Sequence, residues 1–210
     1  MKLPKKAPAP FTSGYFPELD ITPEMDAKEA ASYQSLIGIL QWIFELGRVD
    51  ITVKTPHMDS CIAMPRHGHL EQLFHIFLLI RNKHNTEMVL DPSEPEMDQV
   101  CFDQEDWSNT VYGDFCEDIP PNEPKWHVFG LNIRVYVDSD HAGNSIIRRS
   151  RTGFIFFLNS APIYWKSKKQ GIIETRSFAS EFIAMNICCG YIRSLRYKLW
   201  MMDIPCGFPA

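Results

Sequence analysis

Residues 132–202 carry three short hydrophobic runs followed by one long helical pattern, and this order restricts the fold more than any other feature of the chain. The run NIRVYVD alternates apolar and polar residues, RTGFIFFLN is largely apolar, and APIYWKSKKQ becomes basic at its end. Such runs are typical of β-strands. Asn159, Ser160 and Ala161 suit a tight hairpin between the last two runs. A helix is predicted from about Ser177 to Met202.

Three strands joined by short connections predict an antiparallel sheet, and a single helix covers such a sheet only in part. We therefore predict an α/β (α+β) fold for residues 132–210, with three antiparallel strands and one long helix. Much of this sheet is expected to stay uncovered.

A small helical unit is predicted upstream, over residues 30–84. One helix begins near Ala30 and continues to Gly47, and a second follows Pro65, because apolar residues recur at helical spacing. Residues 1–29 contain five prolines, which predict a flexible extension or a strap over a partner surface. Residues 85–131 lack periodicity and are predicted to be an acidic connector with a short strand around residues 88–90.

Charge is unevenly distributed along this chain, whose formal net charge is -5. Residues 85–131 contain twelve acidic residues and one lysine, whereas residues 134–200 contain eleven basic and four acidic residues. The basic C-terminal unit is compatible with binding to nucleic acid. The six cysteines are scattered, and neither a secretory signal nor a membrane-length apolar run is present. These features predict an intracellular protein, cytoplasmic or nuclear, that does not enter a membrane.

Asp138 and Asp140 lie two residues apart at the end of the first predicted strand, so their side chains point to the same side, about 6 to 7 Å apart along the chain. Two carboxylates at 4 Å repel by about 4 kcal/mol at an effective dielectric near 20, which favours a neutralising cation such as Mg²⁺. A solvated strand end is the alternative interpretation. Glu181, near the start of the long helix, has an alternative as well, because a carboxylate there complements the helix dipole.

Basic residues flank the acidic strand end in sequence. Arg148, Arg149 and Arg151 follow it in and after the next turn. Lys166, Lys168 and Lys169 lie at the end of the third strand. Acids surrounded by Lys and Arg suggest a site in which carboxylates hold metal ions and bases hold a phosphate backbone.

The segments YVDSDHAGN, RRSRTGFIFFLNSAPIYWKSKKQ and SFASEFIAM resemble the ribonuclease H domain of copia-type retrotransposon polyproteins. The upstream segments YQSLIGILQWIFELGRVDI and GHLEQLFHIFLLIRNKHN resemble the thumb and connection region of the reverse transcriptase in the same family. The resemblance implies metal-dependent cleavage of the RNA strand of an RNA:DNA hybrid. The hybrid, or another nucleic acid, would be the partner.

The resemblance also implies roles for individual residues. Asp138 would be the bridging ligand of two Mg²⁺ (or Mn²⁺) ions, Glu181 a second metal ligand, and Asp140 a supporting catalytic carboxylate. The basic residues that would contact the hybrid backbone are Arg148, Arg149, Lys168 and Lys169.

The sequence departs from the family after the long helix. A third acidic ligand, in a Gly-Asp-Asn segment, and a fourth carboxylate have no counterpart before Ala210. We therefore expect a C-terminally truncated domain that lacks other polyprotein segments, binds metal weakly and cleaves slowly or not at all. The alternatives are a non-catalytic nucleic-acid-binding or protein-interaction module, and a product without selected function.

Three other motifs have simpler interpretations. YVDSD resembles the active-site turn of a polymerase, but no palm precedes it. His67, His69 and His75, with or without Cys61, suggest a zinc site, yet they lack the usual pair spacings, so loop polarity and a helix histidine explain them better. His141 fits a substrate contact or an ordinary turn, and the turn is favoured.

Overall fold

A computed structural model describes residues 8–94, 108–111, 113 and 131–204. Four helices are present in these ranges, namely α1 (Ala27–Glu45), α2 (Lys54–Asp59), α3 (His67–Asn82) and α4 (Ser177–Met201). The three strands are β1 (Ile133–Asp140), β2 (Arg151–Leu158) and β3 (Ala161–Lys169). Short 3₁₀ turns lie at Pro17–Leu19 and Val49–Ile51. Within the described ranges, no helix is both long and apolar enough to cross a membrane.

Helix α1 begins at a capping box. The Asp26 carboxylate accepts a hydrogen bond from the backbone N–H of Glu29 at 2.8 Å, and the Glu29 carboxylate accepts one from the N–H of Asp26 at 3.2 Å. These bonds satisfy two donors that a helix start leaves free. The box places the first helical residue at Ala27, three residues before the predicted start near Ala30.

The helical unit has its own core, formed by one face of α1 against α2, α3 and the turn before α2. Tyr33 is fully buried at its centre, and its hydroxyl donates to the Met58 carbonyl at 2.8 Å. The other buried apolar residues of this core are Phe11, Ile37, Leu40, Ile51, Met58, Leu73, Ile76, Leu78 and Leu79.

The proline-rich segment packs along this unit as a strap over the chain's own helices. Phe11 inserts into the helical core, and the Thr12 N–H donates to the Gln72 side chain at 3.0 Å. Further along, the Pro17 carbonyl lies 2.9 Å from His69 Nε2. The strap therefore has an internal partner, the surface of α3, over the part that the structure describes.

The sheet has the order β1-β2-β3 with antiparallel pairing throughout, which confirms the predicted three-stranded sheet. The hairpin between β2 and β3 turns at Asn159 and Ser160, and Asn159 has a φ of 53°. A register shift between Phe156 and Phe157 leaves one extra residue on β3. Such a bulge reverses the face taken by every later residue of the strand relative to regular pairing.

Helix α4 packs across one face of the sheet, as predicted, and extends to Met201. Phe154 and Phe156 of β2 are buried against Cys188 of α4. The half-buried residues that join this cluster are Ile133, Val135, Val137, Tyr191, Ile192 and Leu195. Ile133, Val135 and Val137 are the apolar residues of the alternating run NIRVYVD, so α4 covers the apolar face of β1.

The opposite face of the sheet contacts the helical unit. The indole N–H of Trp165 donates to the Phe44 carbonyl at 2.9 Å, and Arg151 Nε donates to His57 Nε2 at 3.2 Å. The expectation that much of the sheet would stay uncovered is therefore wrong for its β2 and β3 side. Coverage is incomplete at β1, where Tyr136 is 60% exposed.

The short strand predicted around residues 88–90 is absent, because Met88, Val89 and Leu90 form no ladder in the structure. The chain instead docks slightly later, where the Pro92 carbonyl accepts a hydrogen bond from the Asn159 side chain at 2.9 Å. Most of the predicted acidic connector lies outside the described residues.

Removing the Phe156 side chain tests the sheet core. Phe156 is 1% exposed between β2 and α4, so Phe156→Ala should lower the free energy of unfolding by about 3 to 5 kcal/mol. Phe182 on α4 is 61% exposed, and Phe182→Ala is the matched control, with an expected change within about 0.5 kcal/mol. Urea denaturation followed by circular dichroism measures both, and equal losses would contradict this assignment of the core.

Candidate functional site

A buried amide fixes the start of α4 against the end of the sheet. Gln170 is 3% exposed, and its side-chain NH₂ donates to Thr152 Oγ1 at 3.0 Å and to the Ser180 carbonyl at 2.9 Å. The same nitrogen lies 3.5 Å from Ser139 Oγ. Ser180 Oγ in turn lies 3.4 Å from His141 Nδ1. The ends of β1 and β2 and the first turn of α4 are thus held together by one side chain.

The two aspartates of β1 lie on the face that points away from α4. Ser139, between them, points towards Gln170 and α4, and strand alternation places Asp138 and Asp140 on the other side. Both carboxylates belong to exposed residues. Asp138 stands opposite Gly153, where an added Cβ would meet no atom within 4 Å. The space beside Asp138 is therefore open.

Asp140 is more confined than Asp138. A Cβ built on Gly143 would lie 1.8 Å from one Asp140 carboxylate oxygen, so a larger residue at this turn position would require the carboxylate to move. Asp140 also pairs with Arg151 across the strands, and Arg151 pairs with Lys169. Three neighbouring residues across the sheet are therefore one acid, Asp140, followed by two bases, Arg151 and Lys169.

Glu181 follows Ser180 in the first turns of α4 and is partly buried. The structure brings the backbone at Glu181 to the same end of the sheet as Asp138, but α4 lies on the opposite face. Among the described residues, no group of three or more His, Cys, Asp or Glu side chains lies close enough to hold a metal ion. Sharing of a cation by Asp138 and Glu181 stays a prediction.

The four basic residues predicted to contact a nucleic-acid backbone divide between the two faces of the sheet. Lys168 is exposed on the α4 side, whereas Lys169 points to the helical unit because it is the next residue along β3. Arg148 is exposed in the turn, with a φ of 50°, and Arg149 is half-buried. These residues do not form one continuous stripe.

A cleft of about 250 Å³ opens between the helical unit and this end of the sheet. Basic side chains line it at Arg149, Arg151 and Lys169, and acidic side chains at Glu18 and Asp140. The turn after β1 is joined to the strap here, because the Ser145 N–H donates to a Glu18 carboxylate oxygen at 2.9 Å.

Arg151 and His57, which sequence reasoning did not assign to a site, form the floor of this cleft. Arg151 is 8% exposed, and burial lowers its pKa while the Asp140 charge opposes that effect. Burial and the Arg151 charge lower the pKa of His57 to about 4. His57 is therefore neutral at pH 7, and its Nε2 accepts the Arg151 hydrogen bond. Arg151 was visible in sequence only as one more base near the aspartates.

Two of the three histidines considered as zinc ligands, His67 and His69, have other partners. His69 is buried, its Nδ1 accepts from the Arg66 N–H at 3.0 Å, and its Nε2 bonds the Pro17 carbonyl. His67 lies 3.8 Å from a Glu29 carboxylate oxygen. Both ring nitrogens of His69 are thus engaged by backbone groups, as a structural histidine requires.

Comparison with known proteins relates the chain to retrotransposons. It is 24% identical over 190 residues to the retrovirus-related Pol polyprotein from transposon RE1 of Arabidopsis thaliana, covering 87% of this chain and 10% of that polyprotein. It is 24% identical over 157 residues to the transposon Ty5-1 protein of Saccharomyces cerevisiae, covering 74% of this chain and 40% of that protein. An uncharacterized mitochondrial protein of Arabidopsis thaliana is 40% identical over 55 residues, which are 26% of this chain and 23% of that protein.

These similarities confirm the resemblance to a retroelement polyprotein that the motifs indicated. The chain spans less than half of each of these three relatives. No protein-family profile matches it. No solved structure matches it either.

The neutral state of His57 makes stability depend on pH. Histidine in an unfolded chain titrates near pH 6.5, so the unfolded state takes up this proton before the folded state, whose His57 pKa is about 4. The contribution of neutral His57 to the free energy of unfolding is complete above about pH 6.5 and is lost as the pH falls towards 4. In urea denaturation, His57→Gln should reduce this loss by roughly 3 kcal/mol. Exposed His84→Gln is the control, and an unchanged pH slope in His57→Gln would contradict the assignment.

Proposed function

We propose that this chain is part of a copia-type retroelement reverse transcriptase and ribonuclease H, and that it binds RNA:DNA hybrids. Its own metal-dependent cleavage of the RNA strand is weak or absent. The alternative is a non-catalytic nucleic-acid-binding or protein-interaction module. The supporting observation is the three-stranded antiparallel sheet with α4 fixed at its end, where Asp138 and Glu181 occupy the motif positions, in a chain related to the RE1 polyprotein.

The donor set supports weak binding of Mg²⁺ or Mn²⁺. Asp138 offers carboxylate oxygens beside open space at Gly153, and hard divalent cations prefer such ligands. Asp138 would hold the cation, with Glu181 as the second ligand and Asp140 in support. The cation, when bound, would activate a water for attack on the scissile phosphate. The described residues supply no group of three acids, so the affinity is expected to be low.

The basic side chains support binding more directly than they support cleavage. Arg148 and Lys168 are exposed and form no ion pair with a carboxylate within the described ranges. Phosphate contacts require such free cations and no metal. Hybrid binding is therefore expected to persist where cleavage fails.

Asp138→Asn separates the two activities. If Asp138 holds the cation, this variant should abolish any Mg²⁺- or Mn²⁺-dependent cleavage of a labelled hybrid while hybrid affinity changes less than about threefold, because the phosphate contacts remain. Exposed Glu71 on α3 provides the control Glu71→Gln, which should retain cleavage. Cleavage that persists in Asp138→Asn would exclude Asp138 as a ligand. Absence of cleavage in the unmodified chain, with binding intact, would favour the non-catalytic alternative.

Salt dependence tests the backbone contacts. The logarithm of hybrid affinity should fall linearly with the logarithm of salt concentration, and Arg148→Gln combined with Lys168→Gln should make the slope shallower by about 2, or about 1 for each lost contact. Fluorescence anisotropy with a labelled hybrid measures this slope. An unchanged slope in the double variant would contradict contact by these two side chains.

A further inference from the structure

Arg151 is a buried cation without a carboxylate partner. Its Nε is engaged by His57, but the described residues place no acidic oxygen within 4 Å of its guanidinium. A neutral imidazole satisfies one donor, and the carboxylates of Asp140 and Asp59, which form no ion pair with Arg151, offset the cost of its burial only in part. Burying an unpaired charge is costly, so an arrangement of this kind is stable when an anion can reach the group.

Two further cations line the same cleft. Arg149 and Lys169 are half-buried, and neither forms an ion pair with a described carboxylate. Lys169 stands next to Arg151 across the β2–β3 ladder, which keeps both side chains on the cleft face. Three cations therefore converge from three positions: Arg149 in the turn before β2, Arg151 at the start of β2 and Lys169 at the end of β3.

The two acidic side chains of the cleft offset only part of its positive charge. Glu18 is held at the rim by the Ser145 N–H, and the Asp140 carboxylate lies beside Gly143. Three basic and two acidic side chains leave one net positive charge at the cleft. The positive side chains also offer several free N–H donors, which is the requirement for a tetrahedral oxyanion.

We propose that this cleft is an oxyanion site that takes one phosphate group, bound by Arg149, Arg151 and Lys169. The volume of the cleft, about 250 Å³, exceeds the volume of a bare phosphate and leaves room for part of an attached organic group. His57 comes from the helical unit and accepts a hydrogen bond from Arg151, so the phosphate would bind beside an existing contact between the helical unit and the sheet. The site needs no metal ion and is independent of any cleavage activity.

Thermal unfolding of the full chain in inorganic phosphate, against chloride at equal ionic strength, tests the site. Phosphate should raise the Tm of the unmodified chain, because a ligand that binds the folded state stabilises it. Lys169→Gln should weaken phosphate binding about tenfold or more and remove most of this rise. The matched control is Lys198→Gln, because Lys198 is exposed on α4, on the other face of the sheet. It carries the same charge change and should keep the rise.

Arg151→Gln should also remove the rise, and Arg151→Lys should restore part of it by keeping the charge. If either Arg151 variant fails to fold, the comparison of Lys169→Gln with Lys198→Gln still decides the outcome. No Tm difference between phosphate and chloride, or equal rises in the Lys198 and Lys169 variants, would overturn the proposal.

Competition identifies the source of the phosphate. A 5′-phosphorylated oligonucleotide that displaces phosphate better than its 5′-hydroxyl form supports a site for a terminal phosphate. Equal displacement by both supports a site for a backbone phosphodiester. Displacement by neither, with the phosphate effect on Tm intact, supports a site for a free phosphate or a small phosphorylated molecule.

Discussion

The contacts of Gln170 hold together the part of the molecule on which any function depends. Its backbone N–H donates to the Ser150 carbonyl at 2.8 Å, while its side chain reaches Thr152 and the first turn of α4. A buried amide that bridges separate elements is stabilising when its donors are paired and costly when they are not. This residue therefore sets where α4 begins relative to β1, and with it the position of Glu181 relative to the two aspartates.

Much of the fold follows from local patterns. The alternation of Ile133, Val135 and Val137 predicts both a strand and the face that α4 covers, and the apolar periodicity predicts α1, α3 and α4. The hairpin at Asn159 follows from residues that tolerate a positive φ. These features depend on neighbours in sequence, so the sequence contains enough to predict them.

The candidate sites depend on contacts that no local pattern encodes. His57 and Arg151 are 94 residues apart, and their hydrogen bond exists because the helical unit packs on the sheet. The cleft was not predicted for this reason. The same packing separates the basic residues that seemed to form one group in sequence. Lys168 and Lys169 are adjacent residues of the same type, but strand alternation places them on opposite faces of the sheet. Lys168 faces α4, and Lys169 faces the cleft that contains the buried Arg151 guanidinium.

The bulge in β3 determines which face of the sheet the later residues of this strand take. If pairing continued regularly from the turn, Lys168 would stand opposite Arg151, and Lys169 would move to the other side of the sheet. The same extra residue keeps Trp165 on the side of the helical unit, where its indole N–H donates to the Phe44 carbonyl. Without it, Trp165 would face α4 and this contact between the sheet and the helical unit would be lost, although a lysine would still stand beside Arg151.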